Sequence, residues 1–376
     1  MAIDGIDRLT TPVSTGGYFE GGGVLSIPAG AHNVSVRLAN PYQALTCERA
    51  ATVDSVTIVG QPFSPTGWRN ARLKKNAPIS RDSKAMVDEL RSQIKNSPRG
   101  GNVGSSSWYG IPIYVVGRDQ PTVRVEGPPD LPRDLQAMWE AVPLPPYAQP
   151  GLGNDQNLTL WQPSTDTYWD FWGLVRDPLT GVWRSRYGGR MTQLSRNEGH
   201  FVDPPGRLLG GSGSSIMLMA GIQRAEELRR GVIDHAVDFI TVASRARDGW
   251  CWPAQRTDPG ARRRSRAAIP SGARFRFPPS FDIKAYAQDP RHPLSRYALT
   301  VALAVQRYGM VVRDVSTDSP GFVAEDPVTL GHDPYPEIFE GQAPNSSGVL
   351  RNFPWRRLQV LAQPPGRGCT SDPDPD

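Results

Sequence analysis

The chain of 376 residues holds 38 glycines and 37 prolines, one residue in five, against about 12% for the two in average proteins. So many helix breakers exclude a mostly helical protein, and an apolar fraction of 38% with ten tryptophans excludes a solvated disordered polymer. The formal charge of +5 arises from 42 basic and 37 acidic residues, an excess too narrow to point to nucleic acid.

Residues 1–65 read as a small β unit. Its first residues, with Asp4 and Asp7, carry acids where a signal peptide needs basic residues ahead of an apolar stretch. The expectation is synthesis in the cytoplasm without a leader, with a virion as the route to the outside. Residues 34–38 and 53–59 alternate as half-buried strands do, and the Pro/Gly stretch 62–67 marks a boundary. A helix capped by Asp82 or Ser83 follows, with Met86, Val87, Leu90 and Ile94 on one face. Residues 111–116 and 122–125 read as a strand pair and 133–142 as a short helix. The run 143–151 reads as an extended polyproline-type connector that closes an α/β segment over 66–150.

Residues 151–365 are expected to form a sandwich body. Strands are expected at 158–161, 167–172 and 182–187, the last two joined by the turn 177–181. Residues 223–239 and 294–308 are expected helices, with Gly309 placed to end the second. Residues 310–315 and 321–325 read as a closing strand pair, and 366–376 as a disordered tail. No apolar run approaches the ~20 residues of a membrane span. Cys47, Cys251 and Cys369 lie far apart without a CxxC, so a disulfide scaffold and a zinc site are not expected. The five histidines lack HxH or HExxH spacing, and no cofactor is expected.

The densest aromatic cluster spans 161–187. Alternate strand residues share a face, so Tyr168, Asp170 and Trp172 point one way and Trp169 and Phe171 the other. A carboxylate between two rings on an open face suits a sugar, whose C–H faces stack while its hydroxyls donate. Trp169, Asp170, Trp172, Trp183, Arg190 and Arg256 are therefore the candidate ligand contacts. In the competing reading the aromatics fill a core and Asp170 pairs with an arginine. The turn 210–215 nearly matches a nucleophile elbow, but serine replaces its last glycine and no apolar strand enters it. His235 falls in the expected helix with Asp238 three residues on, where a structural role competes with acid–base work. Glycoside cleavage needs two carboxyl groups. Asp170, Asp258, Asp314 and Glu325 could supply them, although sequence alone brings no two together. For an enzyme, the catalytic candidates are Asp170, His235 and Asp258. The basic run Arg262, Arg263, Arg264 and Arg266 reads as a solvated loop, without the aromatics of a single-strand platform.

A set of short stretches occurs in a familiar order. They are Asn76-Ala77-Pro78-Ile79, 161–172, Gly188-Gly189-Arg190-Met191, Gly231-Val232-Ile233-Asp234-His235-Ala236, 253–258, Gln306-Arg307-Tyr308-Gly309 and Ala324-Glu325-Asp326-Pro327. Over roughly 70–330 the chain resembles a family of actinobacterial secreted proteins and phage minor tail proteins. The resemblance implies a β-sandwich body exposed to a cell envelope, and supplies no catalytic residues. Residues 1–65 fall outside it and suit a particle-docking module. The expected fold is mainly β: a jelly-roll or lectin-like sandwich with a few helices and a small N-terminal β unit. The expected function is a phage minor tail protein, part of the virion, that contacts host-envelope polysaccharide. Its expected partners are other tail proteins and further copies of itself, without nucleic acid. The alternatives are a glycan-cleaving hydrolase or lyase on the same fold, and a purely structural virion component.

Overall fold

The computed structural model describes residues 62–104, 109–201, 208–245, 249–258, 261, 265, 267–364 and 367–369, with the backbone of five short strands before them. The chain divides into two compact units, 1–61 and 62–376. In the first unit, Ala2–Ile3 pairs antiparallel with Ile6–Asp7 and with Val34–Ser35, and Gln43–Ala44 pairs with Cys47–Glu48. The expected strand at 53–59, the arginine run and the tail from 370 onward lie outside the described residues.

The second unit is mostly sheet, with three mixed sheets and few helices. In the four-stranded sheet the order is Tyr187–Thr192, Thr167–Trp172, Leu158–Gln162 and Ile113–Val115. The first three strands are antiparallel and the last pair is parallel. Most aromatic and apolar side chains of the two inner strands, Leu158–Gln162 and Thr167–Trp172, are buried on both faces, which strands achieve only when layers cover each side. Val175–Arg176, Trp183–Arg184 and Val125–Glu126 form a three-stranded sheet, with the expected 177–181 turn closed by the Gly181 N–H on Asp177 O.

The six-stranded sheet runs Gln359–Val360, Arg274–Arg276, Met310–Val315, Val237–Thr241, Gly321–Val323 and Asn102–Gly104. Its central pair, Val237–Thr241 with Met310–Val315, is parallel, which requires a long crossover; the helix Arg296–Arg307 lies in it. That helix starts where Ser295 Oγ accepts the Ala298 N–H (3.1 Å) and buries Tyr297, Val301, Ala302 and Val305. Ser83–Asn96 packs Met86, Val87 and Leu90 into the same core, with Val103, Phe239, Phe275 and Phe322.

Six expectations need correction. Residues 111–116 and 122–125 do not pair, since Ile113–Val115 joins the four-stranded sheet and Val125–Glu126 the three-stranded one, and the strand expected over 182–187 divides between the same two sheets. Residues 223–239 are not one helix: Ala225–Arg230 is helical, Gly231 turns out at φ +73°, and the β-branched run after it becomes Val237–Thr241. The two closing strands do not pair with each other, because Val237–Thr241 lies between them. The 133–142 helix covers only Arg133–Ala137, and Val142 bridges back to Val123. The proline-rich run 143–151 is packed, with Leu144 and Ala148 buried. Within 66–150, Asn102–Gly104 and Ile113–Val115 each complete a different main sheet.

Candidate active site

One segment with little regular structure joins the two main sheets. From Leu209 to Gln223 it is almost wholly buried, and carboxylates from both sheets accept its backbone N–H groups. From the four-stranded sheet, Asp170 accepts Gly211 N–H (2.9 Å) and Leu218 N–H (3.2 Å), while Tyr168 Oη donates to Asp170 (3.1 Å) and accepts Met219 N–H (3.2 Å). Tyr168 and Asp170 thus share a face, as strand parity requires, but the segment covers that face and Asp170 is 0% exposed. Burial pushes its carboxyl up to about 6, against the pull of the two amides, Tyr168 and Arg313.

The other candidate contacts are also placed. Trp169 is 5% exposed and Trp183 is 4% exposed, so both rings are core. Trp172 is half-buried: its Nε1 donates to Asp155 Oδ1 (3.0 Å), and the Arg186 guanidinium covers its ring at 5.1 Å. Arg190 is exposed on the edge strand, opposite Trp169. Arg256 spends its guanidinium on three carbonyls, those of Leu208, Gly210 and Ser212. His235 is buried between helix and strand, not within a helix, and its Nε2 meets Glu227 Oε2 at 3.1 Å in place of Asp238. Asp238 instead pairs with Arg313 at 2.5 Å.

Of the four carboxyl candidates, the structure brings Asp258 and Asp314 together. They face each other across Gly213. A methyl group built on Gly213 would stand 2.5 Å from Asp258 Oδ2 and 2.9 Å from Asp314 Oδ1. The gap is therefore no wider than the ~5–5.5 Å of a retaining glycosidase pair. Asp314 is the penultimate residue of the Met310–Val315 strand, keeps 19% of its side chain exposed, and accepts Gly213 N–H (3.3 Å) and Val315 N–H (3.0 Å). Behind it lies Arg313, buried and 3.7 Å away, itself neutralised by Asp238. Burial pushes the Asp314 carboxyl up to about 7; Arg313 opposes this, and the charges of Asp258 and Asp155 add to it. The surroundings of Asp314 thus favour its protonated form on a side chain that still reaches solvent.

Asp170 is closed off, and Glu325 is taken by Arg224 (3.1 Å) and Ala225 N–H (3.2 Å). The serines of the 210–215 turn are buried, with Ser212 Oγ donating to Ile216 O (2.7 Å), so none is presented as a nucleophile. Sequence reasoning named Asp314 only as one of four carboxyls; the available signal was a glycine between serines that could let two acids approach. A disulfide it did not expect joins Cys251 to Cys369, 118 residues apart, and ties Arg367–Cys369 to the segment that carries Asp258. A cavity of about 260 Å³ beside it, lined by Ser80, Asp82, Met86 and Arg245, holds none of the candidate residues.

Among the described residues no group of three or more His, Cys, Asp or Glu could hold a metal ion, and no helix is long and apolar enough to cross a membrane. Compared with known protein families, curated proteins and solved structures, the chain matches none.

Proposed function

We propose that the protein is a minor tail component of an actinobacteriophage that cleaves host-envelope glycan at the Asp258–Asp314 pair, on a sandwich-like β body. The observation that carries this reading is the approach of the two carboxyl groups across Gly213. A protonated acid and a facing carboxylate are the two groups that glycosidic cleavage requires. Asp314 gives its proton to the leaving oxygen as the glycosidic C–O bond breaks, and Asp258 forms the new bond to the anomeric carbon. Water then attacks that carbon, releases Asp258 and returns a proton to Asp314.

The glycan and the envelope come from the family resemblance. The Cys251–Cys369 bond supports a place outside a reducing cytoplasm. Residues 1–61, a separate compact unit, are assigned to docking on other tail proteins. Several copies on one particle would turn weak binding into avidity.

The test is release of reducing ends from actinobacterial envelope polysaccharide by the purified full chain. Asp314→Asn and Asp258→Asn should each lower the rate at least ~100-fold, with an unchanged circular dichroism spectrum. Equal rates in the variants would overturn the assignment. The second reading, a structural virion component, is favoured by the burial of Trp169 and Trp183, and no release from any envelope fraction would select it.

A further inference from the structure

Arg256 was read from sequence as a glycan contact, yet its hydrogen bonds point elsewhere. Nη1 donates to Leu208 O (3.2 Å), and Nη2 to Gly210 O (3.2 Å) and Ser212 O (2.8 Å). Its guanidinium carbon lies over the Tyr187 ring, 5.6 Å from the centroid, and Tyr187 Oη donates to the same Leu208 carbonyl (2.6 Å). One residue earlier, Gln255 N–H donates to Ser214 O (2.9 Å). Arg256 therefore grips the turn before Gly213 and the Gln255 backbone holds it just after, from positions two and three residues before Asp258. Gly213 N–H in turn holds Asp314. The contacts form one chain from the 255–258 segment through the 208–214 turn and Gly213 to Asp314.

Resting on the reading of Asp258 and Asp314 as the working pair, we propose that Arg256 is a positioning residue that sets the separation of the two carboxyl groups. A planar guanidinium can hold three carbonyls in a fixed fan, whereas a lysine offers one mobile point of charge. The role differs from substrate binding, because both Nη2 hydrogens and one from Nη1 are engaged by the turn and Nε is buried.

The separation can be read without turnover, from the titration of the Asp314 carboxyl followed by carbon NMR on the full chain. The groups facing that carboxyl are Arg313, with Asp238 behind it, on the sheet, and Asp258 and Asp155 on the loops. Asp258→Asn is the reference: it should lower the Asp314 midpoint. Arg256→Ala should move the midpoint in the same direction and lower kcat at least ~10-fold with KM changed less than ~3-fold. Arg256→Lys should fail to restore either. If Arg256→Ala does not fold, the midpoint in Arg256→Lys decides alone, and a wild-type value there overturns the proposal. A raised KM with unchanged kcat and midpoint would also overturn it, in favour of a direct glycan contact. The two failures are distinguishable. An Asp314 midpoint unmoved by Asp258→Asn removes the pair itself, whereas a shift there and none in the Arg256 variants removes only the positioning role.

Discussion

The buried segment 209–223 is held at two places by the same chemistry, a carboxylate accepting its backbone N–H groups, and the two places differ in what surrounds the acid. At the closed end Asp170 has no exposure, two amide donors and the Tyr168 hydroxyl. At the open end Asp314 has one long amide contact to the segment, part of its side chain in solvent, and a second carboxyl opposite. Desolvation raises the pKa at both. The difference shows that a raised carboxyl pKa marks a reactive site only where something can reach the proton.

The sharpest way to break the comparison is to empty the closed end. Asp170→Ala would leave the Gly211 and Leu218 amides and the Tyr168 hydroxyl short of an acceptor in the core. At about 1–3 kcal/mol for each buried group left unsatisfied, the loss should reach roughly 3–5 kcal/mol. Urea unfolding at pH 7 measures it. A loss below ~1 kcal/mol would mean that the closed end is not the structural anchor described here.

The strand parity that put Tyr168 and Asp170 on one face was legible from sequence, as were the helix before Gly309 and the 177–181 turn, although that turn joins Val175–Arg176 to Trp183–Arg184 and not the two strands expected. These elements owe their form to local patterning. What covers that face was not legible, because the 209–223 segment is apolar without period and is shaped by carboxylates far along the chain. The same limit hid the pairing of Asp258 with Asp314. Both acids were visible, but their meeting depends on a parallel crossover and on a turn at Gly213, neither of which leaves a periodic signal. The helix expected over 223–239 failed for a related reason. Its apolar spacing fits a helix, but Gly231 and the sheet's demand for a central strand override that propensity.

The open end should dominate the pH dependence that Asp314→Asn removes. The Asp314 folded-state value, about 7, lies above the ordinary aspartate value of ~3.9. Its stabilising effect is therefore full below pH ~4 and is lost as pH rises through about 7. Asp170 and Asp326, both raised to about 6, act in the same direction. His200 is lowered to about 4 by burial and the Arg367 charge, and loses stability as pH falls from ~6.5. These groups are common to wild type and variant and largely cancel in the difference. Asp314→Asn should gain on wild type as pH rises from 4 to 8, at no more than ~1.4 kcal/mol per pH unit. A difference flat across that range would place Asp314 with the ordinary surface acids.

Gly213→Ala should cost least and say most about the gap. No positive φ is involved at Gly213, so the backbone accepts alanine, and the cost is the methyl group itself. The atoms it meets are Asp258 Oδ2 at 2.5 Å, Asp258 Cβ at 2.9 Å and Asp314 Oδ1 at 2.9 Å, all side-chain atoms. The carboxylate oxygens can rotate, but Asp258 Cβ yields only with a small backbone shift, so the loss of stability should be ~1–2 kcal/mol. Gly221, on the same segment, is the contrast: a methyl there meets Asp238 N at 2.4 Å, a backbone atom of the central strand that cannot yield, and ~3 kcal/mol is expected. If the gap is where the chemistry happens, Gly213→Ala should lower glycan cleavage at least ~10-fold while remaining folded. A folded Gly221→Ala should keep its rate per folded molecule. The reverse order would mean that the pair across Gly213 is a packing contact and that the two ends of the segment do the same job.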